Sequence, residues 1–544
     1  MADVADGLKP ANENPWYVLM TLYGEQEGDE IDWDLHEKNK RAWNAWTFKR
    51  TDSATTDQLR ETKLNFLRDR EIDRDSERVS LLFRNRWNIK NKKTEPSVPV
   101  FSDQLDLSGT EFLNPLILDG FAFGNLLDLS GSKFTKGLSA QAAGFPKVLE
   151  LEEARSYKNI NLVGSVFLSN LNATKLQIDG IFDLSLAKVF GDFLFSDEYV
   201  SAQFRGKGLF VEGKFDAFNR EFKDDLIMRG VAIKGDVDFS NAEFHKCAHF
   251  IKATFSANIN FVWTTFVDEA NFAGSTFKKR AIFRKAIFKG TVGFTSSDFQ
   301  GNTDFAESVF AATGDNHMAA IRFTDCQFAK PTSFRNARFL KSYPEFTNTD
   351  LHPVTDFSAD TKTEKFWPKG VTEPRKEARE TCGIIRNLLA KKGLHEDQHF
   401  FFRKEMQFAK ASVNKREAFT YWVYGALSDF GDSIQRPVVC LCVVWILGLL
   451  IFGGFFLQTP LFIEACFEGQ NRWPNEALRP YGTGAALSLS NLFPPFGFNR
   501  TFFGNKFMGC LPIPLKFFSG LQTIVSLPFL FFLGLGLRQR FRLR

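Results

Sequence analysis

Between residues 239 and 310 phenylalanine recurs at alternating intervals of five and six: Phe239, Phe244, Phe250, Phe255, Phe261, Phe266, Phe272, Phe277, Phe283, Phe288, Phe294, Phe299, Phe305 and Phe310. After one inserted loop the beat resumes at Phe323, Phe328, Phe334 and Phe339. A fixed repeat of this kind predicts a solenoid, in which each unit buries its apolar residue only by stacking on the next. The beat starts earlier with Leu in place of some rings, at Leu107, Phe112, Leu118, Phe123, Leu129 and Phe134. An insertion is expected near Ala140 to Tyr157, with the register returning at Leu162, Phe167, Ala173, Ile178, Leu184, Val189 and Phe195. A looser stretch is expected next, until Phe222, Met228 and Ile233 lead into Phe239, so the solenoid should cover 104–357.

Two residues before each ladder position from Phe244 to Phe299 sits a small or apolar residue, as at Ala242, Ala248, Ala253, Ile259, Thr264, Ala270 and Ser275. Two inward positions separated by one polar residue describe a short flat face with tight corners. Ala-Glu-Phe at 242–244 and Ala-Asn-Phe at 270–272 resemble the pentapeptide-repeat family, whose unit is a small residue, a polar one, Leu or Phe, and two variable positions. The resemblance implies a mainly β chain folded as a right-handed quadrilateral β-helix with four five-residue faces per coil. This sequence departs by one extra residue in every second unit, which predicts a 22-residue coil with a slightly bulged corner. At about 4.8 Å per coil the rod should be on the order of 50 Å long.

A chain of 544 residues exceeds one ordinary core. Residues 1–100 read as an α-rich N-terminal cap that shields the first coil from edge pairing, with Trp43, Trp46 and the segment Gln58 to Leu67 at helical spacing. Residues 374–436 read as a helical linker, in which Ile384, Ile385, Leu388 and Leu389 share a face, Gly393 breaks the run, and His399 to Ala411 form a second helix. Residues 437–544 read as a membrane domain. Val438 to Leu457 and Phe517 to Leu537 carry no charge and are long enough to cross a ~30 Å hydrocarbon layer. Lys410, Lys415, Arg416 and Arg436 precede the first run, and Arg538, Arg540, Arg542 and Arg544 follow the second. That bias predicts a multi-pass inner-membrane protein with the β-helix and both termini cytoplasmic and 458–515 outside. Met1 to Asn12 has no apolar run of the signal-peptide kind. The opening Asn14-Pro15-Trp16-Tyr17, the segment Ser428 to Pro437 and the ending Leu535 to Arg542 are similar to those of bacterial pentapeptide-repeat membrane proteins with two C-terminal spans. This likeness implies a membrane-tethered scaffold.

Few residues suggest chemistry. The net charge of +4, and a balance of about −5 over 101–360 by count, argue against nucleic acid as a partner. The seven cysteines contain no C-x-x-C pair and are expected to be mostly buried free thiols, although Cys466 and Cys510 could pair in an oxidising compartment. His395-Glu396-Asp397-Gln398-His399 fits H-E-x-x-H, the zinc-hydrolase helix motif, but its polar middle, the preceding Gly393 and the lack of a third ligand favour a solvated turn. His245 and His249 flank ladder positions as outward strand residues. In the second apolar run Ser519, Gln522, Thr523 and Ser526 form one polar stripe. The stripe suits local backbone bonding plus one helix-pair contact, or else a self-association face or pore lining. Leu487 to Pro494 lies where two-span channels carry a pore helix, but no T-V-G-Y-G follows it. The expectation is a non-enzymatic scaffold without cofactor or metal, whose partners are membrane lipid, an unknown protein and a possible homo-oligomer; the alternatives are an oligomeric pore regulated by the rod and, less favoured, a membrane zinc hydrolase acting through His395, Glu396 and His399.

Overall fold

The computed structural model describes residues 7–541 except 29, 62–77, 88–98, 100–103, 315–319, 373–374, 460–465 and 467–478. The chain divides into two compact units, Met1–Gln398 and His399–Arg544.

The first unit is a four-faced β-solenoid. Strands of mostly two residues follow one another around the coil, as in Glu243–Phe244, Ala248–His249, Thr254–Phe255 and Ile259–Asn260. Each pairs in parallel with the strand 22 residues further on, so that Phe244 faces Phe266 and Ala248 faces Ala270. Among the described residues the four sheets hold 12, 10, 9 and 11 strands. The rings stack face to face from coil to coil: Phe244, Phe266, Phe288 and Phe310 lie at successive centroid distances of 4.9, 5.0 and 5.0 Å. Parallel rings at this offset add to the gain from area burial alone.

The alternation of five and six reflects two kinds of corner. After Phe250 the chain turns through Ile251 and Lys252, and the Ala253 N–H closes the turn on the Phe250 carbonyl at 3.1 Å. Lys252 holds a left-handed φ of 55°, as the third position of a type II turn demands. The same corner recurs every eleven residues at Asn241, Trp263, Gly274, Lys285 and Ser296. The alternate corner carries the extra residue and, Gly137 with φ 91° apart, has no left-handed position, as at His245, Lys246 and Cys247. Inward hydroxyls are satisfied within the core: Ser275 donates to the Phe250 carbonyl at 2.6 Å and Thr264 to that of Phe239 at 2.8 Å.

Two expectations are corrected. No insertion interrupts 140–157: Ala140, Phe145, Leu151 and Ser156 continue the beat fully buried, and Arg155 pairs with Lys133 and Gln177 in unbroken 22-residue register. Ala and Ser at ladder positions leave no apolar peak to read. Nor is 195–222 loose, since Val200, Gly206, Val211 and Ala217 hold the register. There the large side chain moves to the other inward position, Phe204 beside Gly206 and Phe215 beside Ala217, both buried. Such an exchange conserves core volume.

At the N-terminal end Lys9–Pro10 adds a parallel strand to Thr110 and Glu111. Four helices follow, α1 (Pro15–Met20), α2 (Trp33–Phe48), α3 (Ser53–Glu61) and α4 (78–87). Residues 62–67 of the expected helical segment lie outside the described residues. Asn14 caps α1 by accepting from the Trp16 N–H at 2.9 Å, with Pro15 at the first helical position, and donates to the Asp106 carbonyl at 2.9 Å. The opening Asn-Pro-Trp-Tyr is therefore a cap that docks on the first coil. From α2, Trp43 donates to the Ala122 carbonyl at 2.9 Å, and Asn44 accepts from the Ala122 N–H and donates to the Gly120 carbonyl. These bonds satisfy the exposed edge of the rod. At the other end Trp367 stacks on Phe339 at 4.4 Å, and α5 (Arg375–Lys391) buries Cys382, Ile385, Leu388 and Leu389. Gly393 ends the run with φ 73°, and α6 (His395–Ser412) follows.

The second unit continues through α7 (Lys415–Ser428), α8 (Gln435–Gln458), α9 (Arg479–Leu492), α10 (Gly504–Cys510) and α11 (Ile513–Phe541). Two of these are long and apolar enough to span a membrane, Gln435–Gln458 at mean hydropathy 2.8 and Ile513–Arg538 at 1.8. Only 22% and 17% of their most apolar windows are buried, whereas a core helix of a soluble protein would be mostly covered. Their outer faces, with Val439, Leu447, Leu450, Phe517, Ile524 and Phe531, are exposed hydrocarbon. The two run antiparallel: Gly536 lies against Ile434, Gln522 against Gly448, and Phe518 against Phe452.

Candidate functional site

The polar stripe of α11 turns inward, onto a helix between the spans. Gln522 donates to Ser488 Oγ at 2.7 Å and to the Val444 carbonyl at 3.2 Å, and its Oε1 accepts from Asn491 Nδ2 at 2.9 Å. Ser519 donates to Asn491 Oδ1 at 2.9 Å. Thr523 and Ser526 bond to carbonyls of their own helix, at Ser519 and Thr523. Gln522, Ser519, Ser488 and Asn491 are buried. A buried amide set in hydrocarbon needs such partners, because an unmade bond there has no water to replace it. Small residues allow the approach: a Cβ on Gly448 would lie 2.3 Å from Ser488 Oγ, and one on Gly484 would lie 2.5 Å from the Gly453 nitrogen.

Residues 479–492 are thus a helix packed along α8, and they include most of the Leu487 to Pro494 segment that the sequence places where two-span channels carry a pore helix. Tyr481 and Gly484 meet Gly453, while Ser488 reaches the Trp445 carbonyl at 2.8 Å, so α9 descends antiparallel to α8. Fourteen residues rise only about 21 Å, short of a ~30 Å hydrocarbon layer. The chain then returns, and Phe503, Phe507, Leu511 and Leu515 pack with Phe452 and Phe456 near the end where α9 entered. Taken with the two candidate spans this has the form of a re-entrant arrangement, which membrane depth tolerates where the backbone is buried in protein. Gly448, and the pairing of Ser488 and Asn491 with Gln522, escaped the sequence reading; an Asn in an apolar segment and a Gly midway along an apolar run were the available signals.

In the solenoid one inward position carries charge. Arg220 lies two residues before Phe222, where other coils place Ala242, Thr264 or Ala286, and its side chain is fully buried. The guanidinium sits 3.9 Å over the Phe195 ring and donates to the Leu176 carbonyl at 2.5 Å and to the carbonyls of Asp197 and Ser196. Its Nε has no partner. Asp197 and Glu198 both hold left-handed φ, near 60°, which turns Glu198 out to solvent from an inward place in the register. The arginine of the next coil fills that place. Burial pushes its pKa down to about 9, against the opposing pull of Glu198 and Asp197, so it stays cationic at neutral pH.

The other candidates are scattered. His395 and His399 stand at the start of α6, where His395 meets Gln398 at 3.2 Å and Asp397 accepts from Thr363; the H-E-x-x-H segment is helical, not a turn. Among the described residues no group of three or more His, Cys, Asp or Glu is placed to hold a metal. His245 is half-exposed, 2.8 Å from Glu221, and His249 is half-buried on the next strand. None of the seven cysteines is joined in a disulfide, and only Cys326, Cys382 and Cys466 are buried. Cys466 is enclosed by the phenylalanine cluster of the second unit while Cys510 is exposed, so the possible pair is not formed.

The family model for pentapeptide repeats (9 copies) matches residues 239–287. No curated protein and no solved structure matches the chain. The matched segment lies within a 22-residue register that runs from Gln104 to Phe310, and the inserted loop after Phe310 lengthens the next coil to 29 residues, pairing Phe310 with Phe339. Its faces, corners and ring stacks recur on both sides of the match, so the pentapeptide-repeat segment is part of a longer β-solenoid in a chain with two candidate membrane-spanning helices near its C-terminus.

Proposed function

We propose that this protein is a membrane-tethered, non-enzymatic scaffold whose solenoid binds a protein partner at the cytoplasmic face of a bacterial inner membrane. One observation carries the partner reading. Trp263 occupies a left-handed corner with φ 60° and is 56% exposed, where the preceding coil uses Asn241 and the following one Lys285, whose Nζ lies 4.4 Å over the indole ring. A bulky side chain in this conformation costs free energy that Gly or Asn would not. An exposed Trp held there has the character of an interface anchor. The antiparallel spans support the orientation, since they bring Arg436 and Arg538 to one end of the hairpin, which the positive-inside rule assigns to the cytoplasm. The test is photocrosslinking from position 263 in native membranes, compared with a W263N variant. A discrete protein adduct, with binding lost in W263N while thermal stability holds or rises, is the expected result. Absence of any protein adduct from position 263 contradicts it.

A second reading, an oligomeric pore regulated by the solenoid, is favoured by the re-entrant α9 alone. Ion flux through vesicles containing the purified chain, lost in a Q522L variant, would support that reading; flat recordings would remove it.

A further inference from the structure

Helix α7 is absent from the sequence reading, and its surface does not suit water. Phe419 is 62% exposed and Trp422 is 53% exposed, and their rings lie together at 5.8 Å. On the 3.6-residue period Lys415, Phe419 and Trp422 fall in one stripe, with exposed Arg416 beside it and exposed Glu417 on the opposite side. Two large aromatics on one face, headed by two cations, form the pattern of a helix lying at a membrane surface, rings among the acyl chains and charges among the phosphates.

The position of α7 says what covers this face. Its last turn is fixed to the spans: Tyr424 stacks on Phe532 of α11 at 5.5 Å, and Arg436 at the start of α8 donates to the Gly425 carbonyl at 2.7 Å. The turn between α7 and α8 is held rigid. Asp429 and Phe430 are left-handed, Tyr424 donates to the Phe430 carbonyl at 3.1 Å, and Arg403 bridges Asp429 and Asp432 at 3.0 and 3.1 Å. The aromatic stripe therefore ends at Trp422, within one turn of Tyr424 and Gly425, which touch α11 and the start of α8 at the end of the hairpin that carries Arg436 and Arg538.

We propose that α7 is an interfacial helix whose Phe419–Trp422 face is seated in the lipid bilayer and whose Lys415 and Arg416 engage anionic lipid phosphates. This inference rests on the membrane-spanning reading of α8 and α11. The basic heads favour an anionic leaflet over a neutral one.

The test uses the full chain in vesicles of phosphatidylethanolamine and phosphatidylglycerol, with benzoylphenylalanine placed singly at 419, 422, 417 or 447. Leu447, 53% exposed on α8, is the control for the span itself. Lipid adducts at 419 and 422 several-fold above those at 417, reduced when phosphatidylcholine replaces phosphatidylglycerol or when Lys415 and Arg416 become Gln, are the expected result. Lipid adducts at 447 but not at 419 and 422 overturn the proposal and leave the spans in place. Absence at 447 as well overturns the spanning reading beneath it. Adducts from 419 or 422 to a second copy of the chain overturn the lipid assignment in favour of self-association.

Discussion

At the scale of the residue, the ladder and its one charged exception make opposite demands. Phe266 lies between Phe244 and Phe288 with ring planes nearly parallel on both sides. Phe266→Ala should cost about 3–5 kcal/mol, read as a shift of the denaturation midpoint, because coils above and below leave little room for collapse. Arg220 is held by three carbonyls and a ring, with one unpartnered Nε. Arg220→Ala should destabilise strongly, leaving carbonyls and a cavity, whereas Arg220→Met should be tolerated or even stabilising, since a well-packed apolar side chain avoids the cost of a buried charge. Equal loss in both variants would contradict this view. His36 supplies a pH dependence. Burial lowers its pKa below 6.5 despite the bond between Nε2 and the Asp119 carbonyl at 2.9 Å, so the folded cap favours the neutral ring. The unfolded chain binds the proton more readily, so this part of the cap's stability is present above pH 6.5 and is lost as pH falls through the folded value. Amide protection factors in α2, taken relative to the intrinsic exchange rate at each pH, should fall on mild acidification, and His36→Gln should flatten that response.

At the scale of the element, the sequence disclosed whatever the 5–6 beat touched and little else. Ring positions and the 22-residue coil were legible because burial forces periodicity, and the two apolar helices because each is a long run without charge. Coils 140–157 and 195–222 were not, because Ala140, Ser156 and Gly206 occupy inward places without an apolar signature, and Phe204 and Phe215 move the ring by two. The partners of Gln522 were hidden for a different reason: Ser488 and Asn491 lie over thirty residues away, and only tertiary packing joins them. Corners are open to direct test. In one alternate corner Gly191, Gly213 and Gly235 stack coil on coil, and a Cβ on Gly213 would meet the Gly191 carbonyl oxygen at 2.5 Å. Gly213→Ala should cost about 1–3 kcal/mol, since backbone must shift to admit it. Leu186, 63% exposed with φ 61°, sits at a left-handed corner, and Leu186→Asn should stabilise by roughly 0.5–1 kcal/mol in chemical denaturation.

At the scale of the whole molecule, the chain joins a unit whose core is stacked rings to one whose outer surface is exposed hydrocarbon. The first kind of surface belongs in water and the second does not, and that contrast motivates the tethered scaffold. Gln522→Leu belongs to this scale too, because it strips Ser488 and Asn491 of their shared partner. It should loosen α9 and raise proteolysis between the spans while the solenoid's own unfolding transition stays unchanged. The most direct measurement is alkaline-carbonate extraction of membranes from cells expressing the full chain. The account predicts that the protein stays with the membrane pellet and leaves only in detergent; release into the carbonate supernatant would contradict it.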